Sequence, residues 1–108
     1  MINSLLDFTS LGCWKDTRNR AIPHLERTDP GITGNYQKRK DAITKCMQVA
    51  KERGMAIFAV QNGGRCAGDN VLSGYKKYGR ASNCKDGKGG SWANDVYRII
   101  GIPVQSEY

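Results

Sequence analysis

The chain has 108 residues, enough for one domain of ordinary size and too few for two cores. Hydrophobic residues make up 39%, and no apolar run approaches the ~20 residues that cross a bilayer, which excludes a membrane-spanning helix. Seventeen basic residues against ten acidic ones give a net charge of +7. That balance suits acidic partners such as sulfated or uronic polysaccharides and anionic cell surfaces, unless it merely solvates an ordinary surface.

Along the chain, Phe8-Thr-Ser-Leu-Gly-Cys-Trp14 reads as a short opening strand. Pro23, Pro30, Gly31 and Gly34 then predict a long ordered loop, and Asn35 is a candidate helix cap. Ala42, Ile43, Cys46, Met47 and Ala50 recur at helical spacing, while Lys38, Lys40, Lys45 and Lys51 fall largely outside that stripe. These residues predict one amphipathic helix over 37–53, ended by Gly54. Met55–Gln61 is rich in apolar and β-forming residues and reads as a central strand. Residues 62–91, mostly Gly, Asn, Lys, Asp and Ser, read as a long surface excursion. Asn94–Ile100 reads as a closing strand and 101–108 as a loose tail. The predicted fold is α+β: a small disulfide-stabilised domain with a core over about 8–100, one main helix on a short antiparallel sheet, and long loops.

The cysteines, Cys13, Cys46, Cys66 and Cys84, are even in number and widely spread, without a C-x-x-C pair. They predict a disulfide framework and hence a secreted, extracellular address. Of the three possible connectivities, the nested one is favoured. Cys46–Cys66 ties helix to strand, and Cys13–Cys84 ties the opening strand to the late loop. The start, Met1 to Phe8, lacks the basic and apolar regions of a signal peptide. If the bridges form, a leader already removed, or excision from a longer secreted protein, is the expectation. With His24 the single histidine, and Asp69, Asp86 and Asp95 scattered, no metal or other cofactor is expected.

Taken in order, Leu11-Gly12-Cys13-Trp14, Asn19-Arg20-Ala21-Ile22, the helix with Cys46, Gly54, Phe58, Gly63-Gly64-Arg65-Cys66 and Asp95-Val96-Tyr97-Arg98 resemble a WSC domain. They also resemble a WSC-like module of secreted and matrix proteins of marine invertebrates. The chain has four cysteines where that family usually has eight. Ala50 and Ala67-Gly68 stand where the family commonly has two more. The resemblance implies an extracellular carbohydrate-binding, lectin-like module.

A sugar site needs planar hydrogen-bonding groups and an aromatic face. Gln61 and Asn62 at the strand end, beside Gly63-Gly64, offer amides; Arg65 offers a fork of donors. Trp92 is flanked by Asn94 and Asp95, and Tyr75 and Tyr78 are further stacking candidates. Each has a structural alternative. Asn62 can serve only to shape the turn, Tyr75 and Tyr78 only to cover a thin core, and Arg65 only as a solvated charge. Asp95 can pair with a lysine or cap a turn, and Trp92 can be an ordinary loop side chain. Trp14 reads as core and His24 as a surface loop residue. Catalysis is not expected, because one histidine and bridged cysteines leave no nucleophile–base pair. The expected partners are glycans or cell-surface polysaccharide, acidic and sulfated ones included. A secreted basic ligand or matrix protein that binds an acidic receptor by charge is the alternative. Nucleic acid is not expected, since no helix is basic along one stripe.

Overall fold

The structure, a computed structural model, describes residues 8–100. Four strands and one helix follow the chain as β1 (Phe8–Lys15), α1 (Ala42–Glu52), β2 (Ile57–Gln61), β3 (Arg65–Asp69) and β4 (Ala93–Ile99). The sheet is antiparallel throughout, in the order β1-β4-β2-β3. β2, the predicted central strand, is buried at every position between β3 and β4. The expected tail, 101–108, lies outside the described residues.

Strand alternation sends side chains to two different coverings. On one face Phe58, Val60, Cys66 and Tyr97 pack beneath α1, against its Cys46, Met47 and Ala50. Phe58 stacks on Tyr97 at 4.9 Å and Phe8 meets both rings edge-on. On the other face Ile57, Ala59 and Val96 are covered by Trp14, Ala21 and Ile22, with Tyr75 and Tyr78 packed outside them. Apart from Trp14 of β1, that second layer is loop rather than helix. A register shift between Ser10 and Gly12, with Gly12 at φ 102°, turns the Leu11 carbonyl to accept the Trp14 indole N–H at 2.9 Å.

Both disulfides have the nested connectivity. Cys46–Cys66 fastens α1 to β3 across 5.4 Å between Cα atoms, and Cys13–Cys84 fastens β1 to the late loop across 6.0 Å. Closing those loops in the unfolded chain is worth ~3 kcal/mol for the inner bridge and at most ~4 kcal/mol for the outer one. Among the described residues no helix is long and apolar enough to cross a membrane.

Two predicted elements need correction. The helix starts at Ala42 instead of residue 37. Asn35 does cap a start, accepting from the Gln37 N–H at 2.9 Å, but the start is a single 3-10 turn, Tyr36–Lys38. Arg39 is then extended, because its guanidinium reaches inward to Glu26, the Gly64 carbonyl and the Thr33 carbonyl. Asp41 turns left-handed at φ 52° before α1 begins. The second correction is β3, which falls inside the predicted surface excursion. Its Gly68 has no β character of its own, and any larger residue there would have to move two packed side chains. A Cβ there would lie 2.8 Å from Met55 Sδ and 2.9 Å from Leu25 Cδ1.

Candidate functional site

Along the loop-covered face the sheet changes character at one end. β2 runs Ile57, Ala59, Gln61, and the neighbouring β4 positions run Val96, then Asn94, so apolar residues give way to two amides paired across the strands. Gln61 is 6% exposed and Asn94 2%. The Gln61 amide donates to Asn94 Oδ1 at 2.9 Å and to Asp16 Oδ2 at 2.7 Å, and its Oε1 accepts from Arg20 at 3.3 Å. Asp16 also pairs with Arg20 at 2.8 Å and accepts the Ala21 N–H at 2.9 Å. Burial alone would raise the Asp16 pKa, but the Ala21, Arg20 and Gln61 hydrogen bonds outweigh it and hold the carboxyl below its ordinary value. The network is therefore an ionised acid in a closed polar cradle.

Trp92 lies above this cradle. Gly90 and Ala93 exchange both backbone hydrogen bonds, at 3.0 and 3.1 Å, which makes Ser91 and Trp92 the two central residues of a tight turn. Gly90 is required there, since a Cβ would lie 2.9 Å from the Asn83 carbonyl carbon. Trp92 takes the left-handed conformation, φ 54°, at a cost of ~1 kcal/mol for a residue with a Cβ. Its carbonyl accepts the Asp16 N–H at 2.9 Å. Arg20, already tied to Asp16, places its guanidinium 4.9 Å from the ring centroid. The ring nevertheless stays 48% exposed, the one large exposed aromatic among the described residues.

In front of Trp92 opens a groove of about 930 Å³, lined by Lys15, Asp16, Thr17, Tyr78, Arg80, Ala81, Ser82, Asn83 and Ser91. Its floor is set by the end of β1 and the 79–81 segment, joined by Lys15 N–H to Gly79 O at 2.9 Å and Ala81 N–H to Cys13 O at 3.1 Å. The adjoining Cys13–Cys84 bridge holds that segment to the sheet. Beyond Asn83 lies a smaller hollow of about 400 Å³, lined by Asn62, Gly63, Gln37, Lys85, Asp86, Lys88 and the Gly89-Gly90 pair. Asn83 borders both spaces and donates to the Ser91 carbonyl at 3.0 Å.

The residues singled out in the sequence are thus distributed. Trp92 and Tyr78 share the groove, and the Tyr78 hydroxyl donates to the Asn19 carbonyl. Gln61 and Asn94 lie beneath it, the Gln61 amide spent on the internal network and Asn94 accepting from it through Oδ1, so they support the site from below. Asn62 lies in the second hollow and also shapes the β2–β3 turn, at φ 50° followed by Gly63 at φ 95°. Asp95 caps a turn, accepting the Gly89 N–H at 2.8 Å. Tyr75 packs edge-on against Trp14 at 5.3 Å and covers the loop-side core.

Arg65 lies outside both spaces. Its guanidinium stacks 5.0 Å from the Tyr36 ring centroid and donates to His24 Nε2 at 2.8 Å. Burial, then the nearby Arg20 and Arg65 charges, push the His24 pKa down, which keeps the ring neutral and able to accept that bond. The sequence reading missed Lys15, Asp16, Thr17, Arg20, Arg80 and Asn83. Arg20 appeared only within a family motif, and no periodic signal links it to Asp16 outside a helix.

No family model, curated protein or solved structure matches the chain. The fold and bridges define a small disulfide-linked α+β domain.

Proposed function

We propose that this domain is an extracellular carbohydrate-binding, lectin-like module of WSC type, with the Trp92 groove as its site. The observation that carries this reading is the half-exposed Trp92 side chain, held in a costly backbone conformation over a hydrogen-bonded polar cradle. A strained, exposed aromatic that covers no core is what a stacking platform for a sugar ring requires. Hydroxyl-matching groups, Ser82, Asn83 and Ser91, line the same groove. Two disulfides fit an address outside the cell.

The test is a glycan array probed with the oxidised domain, followed by competition with free saccharide. Saturable binding that the free sugar displaces is expected. Binding to no glycan, together with one tight protein partner, would instead favour a secreted signalling ligand and overturn the reading.

A further inference from the structure

The groove holds more positive charge than its own fold uses. Asp16, the carboxylate in the groove, is fully engaged by Arg20, Gln61 and the Ala21 N–H, so the Asp16–Arg20 pair is electrically closed. Lys15 and Arg80 on the groove wall are exposed, and neither has a carboxylate within ion-pair distance among the described residues. The smaller hollow repeats the pattern, with Lys85 and Lys88 against the single acidic side chain of Asp86. Four cations thus face one carboxylate, Asp86, within the two spaces, with Asp41 on the far side of Lys88, along a path that crosses only Asn83.

Neighbouring cations are held by rings rather than by acids. Arg80 lies 4.6 Å from the Trp14 centroid, and Lys76 lies 5.9 Å from Trp14 and 5.6 Å from Tyr75. A ring face steadies a cation without neutralising it, so its N–H groups remain available to an anion at reduced ordering cost.

We infer that groove and hollow together form one track for a sulfated polysaccharide. Trp92 stacks on one sugar ring, while Lys15 and Arg80 on one side of Asn83, and Lys85 and Lys88 on the other, hold successive anionic groups. This deepens the glycan-binding reading and rests on it. The disulfides favour an extracellular polyanion over nucleic acid.

The experiment titrates the oxidised full chain with a sulfated glycosaminoglycan octasaccharide, its desulfated counterpart, a neutral glucan of equal length and a single-stranded oligonucleotide. Arg80→Gln, Lys85→Gln and the double variant are compared with Arg98→Gln. Arg98 lies near the opposite end of β4 from Asn94 and carries the same charge change. The sulfated form should bind at least about tenfold tighter than the desulfated one and weaken steeply with salt. Arg80→Gln and Lys85→Gln should each cost about three- to fivefold and the double variant roughly the product, with Arg98→Gln unchanged. Lys85→Gln touches no core ring, so it reads the effect even if Arg80→Gln disturbs Trp14. Equal binding of the desulfated form would overturn the inference while leaving glycan binding standing. Equal weakening by Arg98→Gln, or tighter binding of the oligonucleotide, would also overturn it. Binding of no saccharide at all would remove the glycan reading as well.

Discussion

Replacing Trp92 with glycine separates stacking from folding. The turn requires φ 54° at this position, a conformation glycine adopts freely, so the substitution relieves ~1 kcal/mol of backbone cost. Against that, the Arg20–Trp92 contact at 4.9 Å is lost, worth ~0.5–1 kcal/mol at an exposed site. The half of the side chain that is buried, roughly 100 Å², adds at most ~2.5 kcal/mol to that loss. The net cost is ~2 kcal/mol, and the melting temperature should fall by about 10 °C. Binding behaves differently. With 48% of a ring side chain of roughly 200 Å² accessible, one face stacked against a sugar removes roughly 50 Å² from water. At ~25 cal/mol per Å² that is ~1.3 kcal/mol, close to tenfold in affinity. Calorimetric titration with a saccharide found on the array, paired with a thermal melt, reads both quantities. Trp92→Ala should show the same binding loss and melt slightly lower, because its Cβ keeps the left-handed cost. Unchanged affinity, or a melting point lowered by more than about 20 °C, would refute the reasoning, the second outcome making Trp92 a core residue.

The Glu26–Arg39 pair, with side chains 7% and 3% exposed, is the strongest buried electrostatic contact described. Glu26→Gln strips the charge opposite Arg39 and weakens the acceptor for the Cys66 N–H at 2.7 Å, so a loss of about 3 kcal/mol is expected in denaturant unfolding; less than 1 kcal/mol would refute it. Burial raises the Glu26 pKa but the Arg39 and Cys66 hydrogen bonds lower it further, as neighbouring groups do for Asp16. Both contributions are therefore present above the ordinary carboxylate range and lost as pH falls through and below about 4, and Glu26→Gln should flatten that acid limb of the melting curve. Burial first, and then the Asp95 charge, push Tyr97 up to about 12, so stability should also fall as pH rises from 10 toward that value. Gly79 and Gly89 share a positive φ, 86° and 74°, yet an added Cβ meets open space at Gly79 and lies 2.6 Å from the Ala93 carbonyl at Gly89. Gly79→Ala should cost ~1 kcal/mol and Gly89→Ala at least ~3 kcal/mol; equal losses would contradict the packing described.

The sequence carried the α+β class, the strands around Phe8, Phe58 and Val96, and the sulfur pairing, because each rests on local apolar pattern or on spacing. It did not carry β3. Arg65-Cys-Ala-Gly-Asp69 becomes a strand through its ladder with β2 and its bridge to α1, with Gly68 packed closely under Met55 and Leu25. The helix start was misplaced because Arg39 extends to meet Glu26, thirteen residues earlier, and no local signal encodes that pair. For the site, Trp92 and Tyr78 were legible as aromatics in a polar, glycine-rich stretch. Gln61 and Asn94 were legible as amides, but only the β2–β4 register turns them toward each other and makes them the support for Trp92. Asn62 was open to two readings, and its left-handed φ gives it the turn-forming one alongside its place in the second hollow.

The chain has only two tryptophans, and they differ in the respect that matters. Trp14 is buried with its indole N–H bonded to the Leu11 carbonyl, whereas Trp92 is half exposed in the groove. Two indole signals in a proton–nitrogen correlation spectrum, followed while saccharide is added to the oxidised domain, address binding at the groove directly. The account predicts that the Trp92 signal moves saturably and several-fold further than that of Trp14. A stationary Trp92 signal in the presence of a saccharide that binds would place the site elsewhere and contradict it.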